Sequence, residues 1–172
     1  MRKNMNKNKI KEYAPKARRE LIEAVAAKAQ VLGLSDKKIE PVEVKGDLAI
    51  IAGRPFPRQI APLRRNLEQA VRREGFEQLV ERIAFTWFNR FTALRYMELH
   101  GFLDHGYRVL SHPKGGNIPE ILEHATDLDL TGLDKAKVAE LRLAGSKDNE
   151  LYRLLLVAQC NALNTALPFL FE

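Results

Sequence analysis

The stretch FEQLVERIAFTWFNRFTALRYMELHG, residues 76–101, decides the fold. Leu79, Val80, Ile83, Ala84, Trp87, Phe88, Phe91, Leu94 and Met97 recur at three- and four-residue intervals, and no proline or glycine interrupts them before Gly101. That period is helical. At about 1.5 Å per residue the run spans roughly 35 Å, the diameter of a small domain, so a central helix is expected here, with Trp87, Phe88 and Phe91 at the middle of the core.

Upstream, ARRELIEAVAAKAQVLGL carries Leu21, Ile22, Val25, Ala29 and Leu32 at helical spacing and closes on Gly33, a residue suited to a helix stop. In KIEPVEVKGDLAIIAGRPFP the pattern changes: β-branched residues flank a Lys45–Gly46–Asp47 turn, which reads as one small β-hairpin. Pro55, Pro57 and Pro62 are expected to break regular structure before a short helix that ends near Gly75. Downstream come a loop rich in Gly and His, short helices around IPEILEHA and DKAKVAELRLAG, and a last helix starting near Asp148. The expected fold is mostly α, four to six helices with one small hairpin. The expected layout is a basic N-terminal arm over 1–15 and a single helical domain over 16–172.

Composition sets the bounds. The 172 residues are 45% hydrophobic and 29% charged, as in a soluble globular chain with one substantial core. No window approaches 18 uncharged apolar residues, no signal-peptide core follows the basic N-terminus, and one cysteine cannot form an internal disulfide. A cytoplasmic protein without membrane contact is expected. The net charge of +6 is unevenly spread. Residues 1–20 carry eight basic side chains against Glu12 and Glu20, and in 54–73 six arginines face only Glu68, whereas 114–150 leans acidic. Such asymmetry fits a polyanion-facing surface, with Lys7, Lys9, Lys11, Arg18, Arg19, Arg64, Arg65, Arg72 and Arg73 as candidate nucleic-acid contacts. It equally fits a solvated tail and a polar helix face.

Catalytic signatures are few. His100, His105 and His112 crowd into thirteen positions, but their spacing matches no standard zinc pattern, and histidines at a helix exit commonly cap carbonyls or pack beside aromatics. Neither Ser111 nor Cys160 sits in an activating glycine-flanked turn. No Gly-x-Gly occurs, so no phosphate-cradling loop is read, and no βαβ alternation supports a dinucleotide-type site. No catalytic, cofactor-binding or metal-binding residue is assigned. On the long helix Asn89, Arg90, Arg95 and Glu98 form a polar cluster, in which Arg95 and Glu98 stand three apart and can pair. The arginines could alternatively present forks to phosphate.

Three blocks, KEYAPKARRELIEAV, AFTWFNRFTALRYMELHGFLDHGYRVLSHP and ELYRLLLVAQCNALNTALPFLFE, resemble the N-terminal region of the PglX family, DNA methyltransferases of BREX phage-defence systems. The resemblance implies a much larger enzyme that transfers a methyl group from S-adenosylmethionine to adenine N6. The family's Gly-containing cofactor motif and its Asn-Pro-Pro-Tyr/Phe motif have no counterpart here, since no two prolines are adjacent, so no family site residue is carried over. The apolar LPFLFE end either docks on the domain or marks a truncation, and the resemblance favours the second. The expected role is a non-catalytic scaffold with DNA-backbone or partner contacts, other BREX proteins included. The alternatives are a protein-interaction module and a stand-alone DNA-binding protein.

Overall fold

A computed structural model describes residues 7–171, with side chains from Lys11 onward. Helix α1 runs Lys7–Val31, and strands β1 Val42–Lys45, β2 Leu48–Ile51 and β3 Arg54–Pro57 follow. Next come α2 Ile60–Glu74, α3 Phe76–His100, a 3₁₀ turn Glu120–Leu122, α4 Lys135–Leu143, α5 Asp148–Asn164 and α6 Pro168–Phe171. The protein is mostly α, as the periodicity requires. By its internal contacts the chain divides into two compact units, Met1–Phe88 and Asn89–Glu172, with the division falling inside α3.

In the first unit, α1 begins ten residues earlier than Ala17, so residues 7–15 of the expected arm are helical and continue through Pro15. The signal was present: Ala14, Ala17 and Leu21 extend the three- and four-residue spacing, and Ala17 is buried. The helix stops at a backbone position that demands glycine. Gly33 has φ +68°, and a Cβ there would lie 2.8 Å from the Glu40 Cβ and 3.0 Å from a methyl of Ile51. The Lys45–Asp47 turn forms as expected, but the sheet has three antiparallel strands in the order β1-β2-β3. Pro55 and Pro57, expected to break structure, sit in β3. As an edge strand it tolerates residues without an N–H on its open side. The β2–β3 connection is Ala52–Gly53, with φ 51° and 75°; alanine rarely adopts this left-handed region. Ala49 and Ile51 are fully buried, and α2 lies against β1 and β3. Leu34, Val71 and Leu79 form a buried cluster, with Ile39, Leu67 and Phe76 packed around it.

In the second unit, α5 buries Leu151, Leu155, Leu156, Ala158 and Cys160 and packs against α4, α6 and the 3₁₀ turn. Helix α4 starts where Asp134 caps it, its carboxylate accepting the Lys137 N–H at 2.9 Å. IPEILEHA, expected to be helical, supplies only the 3₁₀ turn; Pro119 caps it in extended conformation and leaves three residues of helix. Trp87, Phe88 and Phe91 are half-buried, not the fully buried centre that their density suggested. The deep positions of α3 are Leu79, Val80, Ala84, Leu94 and Glu98.

Candidate nucleic-acid surface and buried carboxylate centre

The basic candidates separate into four kinds. Lys7 and Lys9 lie outside the described side chains. Lys11, Arg19 and Arg65 are exposed, and among the described residues none of them has an ion-pair partner within reach. Arg18, Arg72 and Arg73 are exposed but engaged: Arg18 donates to Glu81 at 3.1 Å, Arg72 makes a two-nitrogen contact with Glu68, and Arg73 stands 3.6 Å from Glu74.

Arg64 is a different residue from the one its sequence context suggested. Its side chain is fully buried, and its guanidinium donates to the carbonyls of Leu32 at 2.6 Å, Gly33 at 3.4 Å and Glu40 at 2.9 Å and to the Glu68 carboxylate at 3.2 Å. It ties the carbonyls just beyond the end of α1 to that of Glu40, so it is a fold element with no fork to offer a phosphate. Glu68 serves both Arg64 and Arg72, and the hydrogen bond from Arg72, supported by Arg64, holds its carboxyl below the ordinary value of 4.5. Glu74 is lowered likewise by Arg82, whose guanidinium donates to it twice, at 2.7 and 2.9 Å.

Of the polar set of α3, Arg95 and Glu98 come together around one buried carboxylate, whereas Asn89 and Arg90 lie apart from it. The Glu98 side chain has no exposed surface. It accepts from the Arg95 guanidinium, from the Ser111 hydroxyl at 2.9 Å and from the Leu110 N–H at 2.7 Å, while Arg95 also donates to Ser111 at 2.6 Å. The spacing of Arg95 and Glu98 allowed this pair; the loop partners Leu110 and Ser111 carried no sequence signal. Glu98 therefore pins the 109–111 segment to α3, and the Tyr152 hydroxyl adds a bond to the Val109 carbonyl at 3.1 Å. Burial, and then the Glu98 charge, pushes the Tyr152 hydroxyl up from its ordinary value. Arg90 donates to the Phe171 carbonyl at 2.9 Å, and Asn89 is half-buried on the wall of an apolar groove.

The histidines organise the loop after α3. The Nδ1 atoms of His105 and His112 accept the N–H groups of Tyr107 at 3.0 Å and Lys114 at 3.1 Å, so of the two expected roles, carbonyl capping and packing beside aromatics, these bonds serve amides instead of the first. The proton of His105 then resides on Nε2, which donates to the Gln159 side chain at 2.7 Å. His105 stacks on Tyr107, Tyr107 lies flat against His124 at 3.8 Å, and His100, Tyr96 and Phe102 form a three-ring cluster. Among the described residues no group of three or more His, Cys, Asp or Glu is placed to hold a metal ion. Cys160 is buried, and burial raises its thiol above the usual range, which disfavours the reactive thiolate.

No protein-family profile matches the chain. Two curated relatives do. It is 46% identical over 175 residues to the adenine-specific methyltransferase BrxX of Escherichia coli O9:H4 (strain HS) and 33% identical over 187 residues to the adenine-specific methyltransferase PglX of Lacticaseibacillus casei (strain Zhang). The chain matches N-terminal portions of adenine-specific methyltransferases. Both alignments cover 98% of the chain but only 14% and 16% of the two methyltransferases.

The two units share the charge unequally. The first, residues 1–88, holds 19 basic and 11 acidic residues, a net of +8, whereas residues 89–172 hold 9 and 11, a net of −2. All the candidate nucleic-acid contacts fall in the first. No helix among the described residues is long and apolar enough to cross a membrane.

Proposed function

We propose that this chain is the N-terminal, non-catalytic part of an adenine-specific DNA methyltransferase of a BREX phage-defence system, acting in the cytoplasm, and that its first unit contacts the DNA backbone. The observation that carries the reading is the match along 98% of the chain to two relatives bearing the methyltransferase name. S-adenosylmethionine would bind elsewhere in the longer enzyme, because this stretch contains no glycine loop to cradle it. The surplus of +8 in residues 1–88 supports a phosphate-facing role, and the exposed cations without a described carboxylate partner, Lys11, Arg19 and Arg65, are its best carriers. On this reading the interaction is backbone-directed and indifferent to base sequence, because cations that meet phosphates position a protein on the duplex without reading its bases.

Fluorescence anisotropy with labelled duplex DNA over a salt series tests the reading. Binding should weaken steeply with salt. Changing Lys11, Arg19 and Arg65 together to glutamine should flatten the slope by up to about 0.9 for each phosphate that these side chains neutralise, equally on unrelated sequences. Absence of salt-dependent binding would move the role to the module that engages other defence proteins.

A further inference from the structure

The second unit carries an apolar groove beside a cluster of exposed rings. At the end of α3, Tyr96, Leu99 and Phe102 are 57%, 51% and 58% exposed, and Tyr96, His100 and Phe102 gather their rings within 4.3 to 6.0 Å of one another. Two of the rings, Tyr96 and Phe102, line a groove of about 460 Å³ whose other walls are chiefly Ala93, Met97, Leu167 and Leu170. Among the described residues none of its lining side chains is charged. Three large apolar side chains more than half exposed within seven residues exceed the scattered exposure of an ordinary surface. Aromatic and methionine enrichment with charge depletion is the composition of an interface core. The same composition argues against nucleic acid, whose backbone demands cations.

What covers the face follows from size. The methyltransferase relatives extend far beyond this chain, which accounts for only 14% and 16% of their lengths. We infer that the groove and the Tyr96–His100–Phe102 rings are the seat on which the remainder of the same polypeptide docks, in a dry intramolecular interface. This inference rests on the proposed function, since it requires the longer enzyme. It divides the labour between the units: the first faces DNA and the second faces the enzyme.

Hydroxyl-radical footprinting of the chain alone and of the full-length enzyme containing it decides the matter. Oxidation of Tyr96 and Phe102 should be roughly fivefold lower in the full-length enzyme, as rings more than half exposed enter an apolar interface core, while Leu143 reacts alike in both. A Tyr96→Ser, Phe102→Ser double variant should lower the melting temperature of the full-length enzyme by more than that of the isolated chain, and an equal loss in both overturns the inference. Equal ring oxidation in the two proteins overturns the inference, as does protection in the chain alone that grows with its concentration, the mark of a second copy. A gene that encodes nothing beyond this chain overturns it too. DNA methylation assayed on the same full-length preparation tests the functional reading separately: protected rings without methylation would sink the function and leave the docking intact.

Discussion

Removing the Glu98 carboxylate strands the Leu110 N–H and takes one partner each from the Ser111 hydroxyl and the Arg95 guanidinium, which keep their bond to each other. An amide left unbonded away from water costs its full desolvation, so Glu98→Ala should destabilise the chain by about 2–3 kcal/mol in urea unfolding, whereas the exposed Glu123→Ala should stay within roughly 0.5 kcal/mol. Only half of this centre was legible in the sequence. The three-residue spacing announced Arg95 with Glu98, but a hydrogen bond to a loop amide twelve residues on leaves no trace in side-chain periodicity. Arg64 shows the opposite limit. A buried arginine and an exposed one are spelled identically, and only its bonds to the carbonyls of Leu32, Gly33 and Glu40 set it apart from its neighbour Arg65.

The elements themselves were easier to read, because their signals are local. The long helix, the Lys45–Asp47 turn and the helix from Asp148 follow directly from apolar period and turn chemistry. The third strand escaped because Pro55 and Pro57 suggest a break unless the strand is known to be an edge, which is a property of the whole sheet. The junction after α1 illustrates how one glycine serves two elements. With φ +68° and Glu40 Cβ 2.8 Å from where a Cβ would stand, Gly33→Ala combines a left-handed alanine with a collision against the segment leading into β1. The backbone conformation alone should cost about 1–2 kcal/mol, and the collision adds to it. Thermal denaturation gives the total, and hydrogen exchange should quicken around Leu34 and Ile39, which form an isolated bridge beside the junction.

Across the whole molecule, stability should fall with acid and the direction is fixed. Glu68, Glu74, Asp129 and Glu140 all have carboxyls held below their ordinary values by hydrogen bonds from Arg72, Arg82, Lys135 and Lys137 respectively. A lowered folded value means that the ionised form favours the fold. The stabilisation is therefore complete above the ordinary values, 4.5 for Glu and 3.8 for Asp, and disappears as the pH drops through the lower folded ones. The urea midpoint should hold steady above pH 5 or so and decline below about 4.5, less steeply in 1 M salt because these pairs are mostly exposed. The uneven partition of charge has a consequence at the bench. Near pH 9.5, where the net charge of the chain vanishes, a cation-exchange resin should still retain it, because residues 1–88 still hold more charged lysine and arginine than acid while residues 89–172 are net negative. Such a protein elutes by the charge of one of its halves and not by its isoelectric point.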